Sequence, residues 1–102
     1  RGMSLLQLDP TLSAAAQKYA EELARTGIFE HGNVGQRIGD GWMMYGENIA
    51  MGQTSNEEVM NDWMHSVGHR RNILNGNFQL VGIGIAKNSA GEIYWVVDFG
   101  TK

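Results

Sequence analysis

Cysteine is absent from the 102 residues, which removes disulfides and thiolate metal ligands together. A disulfide-stapled mini-protein is therefore excluded, whereas an exported protein is not. Proline occurs once, at Pro10. Positive charge is scarce: eight Lys and Arg stand against eleven Asp and Glu, for a net charge of −3. Those eight are scattered, with no basic stripe of the kind that follows a phosphate backbone, so a nucleic-acid partner is not expected. No apolar run approaches the ~20 residues that a membrane helix needs, and no signal-peptide pattern is visible. Internal repeats, low-complexity segments and linkers are also missing. What remains is 42% apolar and 19% charged residues, enough for one packed core and too apolar for a disordered chain. Residues 1–102 are read as a single domain. The opening Arg1-Gly2-Met3 reads as a trimmed beginning.

The first helix is marked by Asp9 as N-cap and Pro10 at its first position. Leu12, Ala15, Ala16, Tyr19, Leu23 and Ala24 recur at helical spacing, and Thr26-Gly27 is a stop signal. Residues 28–46 follow no period and are punctuated by Gly32, Gly35, Gly39, Gly41 and Gly46. A loop this long inside a compact domain points to function. Its Phe29, Trp42, Met43, Met44 and Tyr45 argue that it is packed down. A second helix starts near Thr54-Ser55, with two possible capping boxes, Thr54 with Glu57 or Ser55 with Glu58. Val59, Met60, Trp63, Met64 and Val67 form its apolar face. Gly68 is read as its break, followed by a short helix or turn from Arg70 to Leu74. Val81, Ile83 and Ile85 alternate with glycines. Ile93, Trp95, Val97 and Phe99 alternate with Tyr94, Val96 and Asp98. With the turn signal at residues 88–91, the two runs read as an antiparallel hairpin. The second strand is apolar on both faces and so belongs in the middle of the sheet, and Trp63, Trp95 and Phe99 belong to the core. The fold class is α+β, helices packed on an antiparallel sheet.

Three histidines are present: His31, His65 and His69. His65 and His69 have the H-x3-H spacing that can put two imidazoles on one helical face. Gly68 between them opposes that geometry, and His65 reads as an exposed helix residue. Ser66, three residues before His69, raises a Ser-His arrangement, but no nucleophile elbow surrounds it. Arg70 and Arg71 read as charge compensation at a helix end, with an anion contact by Arg70 as the sharper alternative.

Several ordered strings carry a family likeness: Phe29-Glu30-His31, Gly46-Glu47-Asn48-Ile49-Ala50, Glu57-Glu58-Val59 with Trp63-Met64, and Ser66-Val67-Gly68-His69-Arg70. Phe78, Val81-Gly82-Ile83-Gly84 and Tyr94 to Gly100 continue it. From Leu6 to Gly100 the chain resembles the CAP superfamily (SCP/TAPS: cysteine-rich secretory, antigen 5 and pathogenesis-related 1 proteins), in its short bacterial SCP-like form. The resemblance implies a three-layer α-β-α sandwich and an extracellular or cell-surface setting. It also implies a shallow cleft with two histidines and two acids, which map by motif onto His31, Glu47, Glu58 and His69. Glu58 is preferred over Glu57 because it directly precedes Val59. Two departures stand out: Gly32 replaces a common serine after the first histidine, and little of the family's first helix precedes Asp9.

Two imidazoles can hold a divalent cation such as zinc, so His31 and His69 are the candidate metal ligands, with Glu47 and Glu58 as cleft carboxylates. Trp42, Tyr45, Asn48 and Arg70 are candidates for the cleft rim. The favoured expectation is a secreted, monomeric binding or interaction module with a metal-competent cleft. Its partner would be a small molecule, lipid or protein, and no catalysis is shared across the family. The first alternative is a metal-dependent hydrolase of peptide or cell-wall material, in which a spare glutamate activates metal-bound water. The second is a lipid or sterol carrier, resting on the apolar segment 42–45.

Overall fold

The computed structural model describes residues 6–102. The expected remnant of a preceding helix, Arg1 to Leu6, therefore lies outside the described residues apart from Leu6. The elements in chain order are β1 (Gln7–Leu8), α1 (Pro10–Thr26), α2 (Val34–Ile38), β2 (Met44–Met51), α3 (Asn56–Met64), α4 (Val67–Leu74), β3 (Leu80–Lys87) and β4 (Ile93–Thr101).

Helix α1 starts and stops where its sequence signals stand. The Asp9 carboxylate accepts the Leu12 N–H at 2.9 Å. Gly27 closes the helix in the left-handed region, with φ 73. Leu12, Ala16, Tyr19, Ala20 and Leu23 are its buried stripe.

The sheet order is β1-β3-β4-β2. β3 and β4 pair antiparallel, as do β4 and β2, while the two-residue β1 joins β3 in parallel and makes the sheet mixed. β4 is central and covered on both faces. On one face α1 packs against Ile49, Tyr94 and Val96. On the other, Val59 and Trp63 of α3 meet Ala50 and Trp95, and Phe78 stacks on Phe99 with ring centroids 5.4 Å apart. These are the three layers of an α-β-α sandwich.

The glycines of β3 bring the layers together. A Cβ on Gly82 would sit 2.1 Å from the Leu12 carbonyl carbon, and one on Gly84 would sit 2.3 Å from that of Ala16. The alternation of Gly82 and Gly84 with Ile83 and Ile85 thus leaves a smooth track for the α1 backbone.

Two segments differ from the sequence reading. The aperiodic stretch contains α2 and the start of β2, a strand whose alternation is hidden because it carries a buried glutamate and is covered on both faces. The break after α3 falls at His65–Ser66, not at Gly68, which lies inside α4. His69 is accordingly the third residue of a helix.

Candidate functional site

The site is organised by two neighbouring residues of β2, Glu47 and Asn48, which a strand turns toward opposite faces of the sheet. Each holds one histidine. On the α1 side, Glu47 Oε1 lies 2.9 Å from His31 Nδ1. On the α4 side, Asn48 Nδ2 donates to the His69 carbonyl at 3.1 Å. β2 is an edge strand, so side chains from the two layers can approach one another around it.

His31 follows α1 and is followed by Gly32, whose φ is 63. A Cβ at Gly32 would lie 3.1 Å from the Tyr19 hydroxyl, so the glycine serves both a left-handed turn and a close approach. The Tyr19 hydroxyl donates to the Glu30 carbonyl. Burial raises the pKa of that hydroxyl, against the opposing effect of Arg37.

Arg37 of α2 binds this half together. Nη2 donates to the His31 carbonyl at 2.6 Å and to Glu47 Oε1 at 3.0 Å. Glu47 Oε2 is 2.9 Å from the same nitrogen but makes no aligned hydrogen bond. The guanidinium carbon sits 3.5 Å from the centroid of the Tyr19 ring, a cation–π contact made in a largely dry place.

Asp98 of β4 stands directly opposite Glu47. It is fully buried, and neither carboxyl oxygen has a hydrogen-bond partner. The nearest guanidinium nitrogen is Arg37 Nη1, at 3.8 Å from Oδ2. Burial first, and Glu47 second, push the Asp98 pKa from 3.8 up to about 9, while Arg37 and His31 pull the other way. Asp98 is therefore a neutral acid at pH 7. Its proton, donated to Glu47, would satisfy one oxygen on each carboxyl group.

His69 is held on the far side of β2. Its Nδ1 lies 2.9 Å from the Ser66 hydroxyl. Its ring centroid is 6.3 Å from that of Trp63. Burial, and then the charge of His31, lower its pKa below 6.5, which favours a neutral imidazole. Asn48 Oδ1 in turn accepts from Asn72 Nδ2 at 2.9 Å, and the same amide reaches the Glu47 carbonyl at 3.2 Å. A mainly apolar groove of about 300 Å³ opens beside His69 and Ser66, walled by Phe29, Ile49, Met51 and Trp63.

The other expected site residues make contacts of a different kind. Ser55 is the α3 N-cap, accepting from the Glu58 N–H at 3.1 Å, and the Glu58 carboxylate reaches back past it to the Thr54 N–H at 2.9 Å. Glu58 is thus tied to the start of its own helix, and the group beside His69 is Ser66. His65 caps the C-terminus of α3, with Nδ1 on the Asn61 carbonyl. Trp42 and Tyr45 line a separate open depression with Asn33, Gln36 and Asp40. Arg70 lies on the outer side of α4, beside Val67, Arg71 and Leu74. Asn48 is fully buried and is a brace for the site, not its rim.

Sequence reasoning misses Arg37, Asp98 and Asn72. Asp98 leaves a signal: it is the one carboxylate in the strand face otherwise formed by Tyr94 and Val96. Arg37, in an aperiodic stretch, and Asn72, in a short helix, leave none. Among the described residues no group of three or more His, Cys, Asp or Glu is arranged to hold a metal ion. No helix among them is long and apolar enough to cross a membrane.

The profile of the CAP, cysteine-rich secretory protein family matches residues 1–99. The chain is 36% identical over 107 residues to the Bacillus subtilis (strain 168) protein YkwD, covering 97% of this chain and 40% of that one. It thus spans less than half the length of that relative. An outer surface protein from Borrelia burgdorferi shares the fold at TM-score 0.88 and 26% identity, over 98% of this chain and 80% of its own. An extracellular protein containing a SCP domain from Bacillus anthracis str. Ames matches at TM-score 0.84 and 26% identity, over 98% of this chain and 35% of its own.

Proposed function

From the fact that this chain belongs to the cysteine-rich secretory protein (CAP) family, we propose that it is a binding module of the cell exterior or surface whose cleft takes a divalent cation on His31 and His69. The observation that carries the reading is the matched hold on the two imidazoles. Each has Nδ1 engaged, by Glu47 or by Ser66, which leaves Nε2 as the nitrogen for a ligand. The lowered pKa of His69, caused first by burial and then by the charge of His31, favours the neutral form that a cation requires.

The donor set fits an open site, not a closed structural one. Two imidazoles supply only part of a tetrahedral shell, so water or an external ligand would complete it. A cation held this way exchanges readily, and the groove beside His69 offers space for an apolar part of the external ligand. The setting outside the cell draws on the relatives described as an outer surface protein and as an extracellular protein.

Binding is preferred to hydrolysis for a specific reason. A metal-dependent hydrolase needs a carboxylate free to take a proton from bound water. Glu47 is buried against Arg37 and Asp98, and Glu58 is bonded to Thr54. Neither is free.

Calorimetric titration with zinc at pH 7.5 tests the reading. The expected result is a one-to-one heat that is lost in His31→Ala and in His69→Ala. An unchanged isotherm in both variants, or no heat in the wild type, would remove the metal from the proposal. Turnover of peptide or cell-wall substrates, abolished by Glu47→Gln, would favour the hydrolase instead.

A further inference from the structure

Each helix among the described residues opens on a side chain suited to capping, and three of these four side chains do cap. Asp9 accepts from Leu12 N–H, Asn33 from Gln36 N–H, and Ser55 from Glu58 N–H, in each case the third residue of the helix. Ser66 occupies the same position before α4, with extended backbone angles of −114 and 121, and makes no capping bond. The third residue of α4 is His69. The hydroxyl that would ordinarily serve its backbone N–H lies instead against its imidazole, 2.9 Å from Nδ1. A broken local rule of this kind is expected where a side chain is needed for something other than folding.

The rest of the hold on His69 repeats the hold on His31. In each case the backbone carbonyl accepts from a side-chain donor, Arg37 Nη2 for His31 and Asn48 Nδ2 for His69. In each case Nδ1 faces an oxygen, Glu47 Oε1 or Ser66 Oγ. The two halves differ in the carbonyl's donor and, more consequentially for the ring, in the chemistry of that oxygen. A carboxylate behind Nδ1–H makes the opposite nitrogen a stronger donor, and a hydroxyl does so much less.

We propose that Ser66 is the positioning residue of His69, with the role toward it that Glu47 has toward His31, so that the cleft presents one carboxylate-backed and one hydroxyl-backed imidazole. This rests on the cation-binding reading above. His31 is then the stronger ligand and His69 the weaker, closing one. Ser66 works through the ring: it accepts Nδ1–H, holds the imidazole in one tautomer, and leaves Nε2 unprotonated toward the cleft.

The test is long-range proton–nitrogen NMR of the imidazoles at pH 7.5, without metal, in the wild type, Ser66→Ala and Ser66→Thr. Wild-type His69 should be protonated at Nδ1. Ser66→Ala should give a mixture of tautomers at His69, Ser66→Thr should restore the single form, and His31 should be unchanged in both. Because this hydroxyl does not cap α4, Ser66→Ala should keep the wild-type melting temperature. Zinc titration should then show about tenfold weaker binding in Ser66→Ala and recovery in Ser66→Thr.

A wild-type His69 protonated mainly at Nε2, or a tautomer unaffected by Ser66→Ala, overturns the proposal. A tautomer that depends on Ser66 in a protein that binds no zinc would uphold the positioning role and defeat the metal reading alone. If Ser66→Ala does not fold, the wild type and Ser66→Thr decide: Nδ1–H at His69 in both upholds the proposal, and Nε2–H in either overturns it.

Discussion

Replacing Asp98 with asparagine should make the protein more stable, and increasingly so as the pH rises. In the folded state the carboxyl group is fully buried opposite Glu47 and keeps its proton up to about pH 9, whereas its ordinary value is 3.8. Between those values the unfolded chain binds fewer protons at this position than the native one. Stability must therefore fall with rising pH across that window, by about 1.4 kcal/mol per unit. At pH 7, about three units above the ordinary value, burial of Asp98 costs about 4 kcal/mol. An asparagine in its place cannot ionise and can still donate one N–H to Glu47. Its second N–H lacks a partner and offsets about 1–2 kcal/mol of the gain. The expected net stabilisation at pH 7 is about 2 kcal/mol. Urea unfolding followed by tryptophan fluorescence at pH 5, 6, 7 and 8 gives the comparison. The difference between the two proteins should grow steadily with pH, and taking the difference cancels the titrating groups that do not interact with Asp98. Two parallel stability curves would refute the reasoning, because Asp98 would then be ionised in the native protein.

Other perturbations have definite expected outcomes. Gly84→Ala places a methyl group 2.3 Å from the Ala16 carbonyl carbon, and α1 must lift off β3 to admit it. The loss should be about 3 kcal/mol or more in a denaturant titration. Ser55→Ala removes a working cap and should cost about 1 kcal/mol, which thermal unfolding would register as a drop of about 4–8 °C. Glu58→Gln should leave zinc binding at the wild-type level while Glu47→Gln weakens it, since only Glu47 touches a cleft histidine. The lowered pKa of His69 means that the native state holds fewer protons there than the unfolded chain just below pH 6.5. That contribution to stability is present at neutral pH and is lost on acidification. His69→Gln should therefore lose less stability than the wild type between pH 6.5 and 5.

Most of the architecture is legible in the sequence because its elements obey local rules. α1 has its cap, its apolar stripe and its glycine stop, and the hairpin has two apolar, β-branched and aromatic runs joined by a turn. β2 escapes because the alternation rule assumes that one face is wet and the buried face is apolar. Here Glu47 and Asn48 are both buried, one on each face, and the residues that make the site erase the signal of the strand that carries them. His31, Glu47 and His69 can be named from ordered strings, since each sits beside a distinctive neighbour. Preferring Glu58 over Glu57 rests on its place directly before Val59; the structure makes Ser55 the cap of α3 and bonds Glu58 back to Thr54. The partner of His69 is hidden by a three-residue shift in a helix boundary: with the break at Gly68, Ser66 and His69 fall on different elements, and with the break at His65 they share one turn. Arg37 cannot be found from sequence, because a short helix in a glycine-rich stretch has no period from which to infer the direction of a side chain.

The exposed margins of the sheet have a consequence for association between copies. On one side the described sheet ends in β1, only two residues long. On the other it ends in β2, where the carbonyls of Ile49 and Glu47 already accept from Trp63 Nε1 and Asn72 Nδ2, each at 3.2 Å. A foreign strand arriving there finds two of the edge's acceptors already engaged, which weakens the template for strand addition. Trp63→Phe would keep most of the packing and free one acceptor, and Asn72→Leu would free the other. The double variant should stay folded yet form fibrillar or amorphous aggregates at concentrations where the parent remains clear.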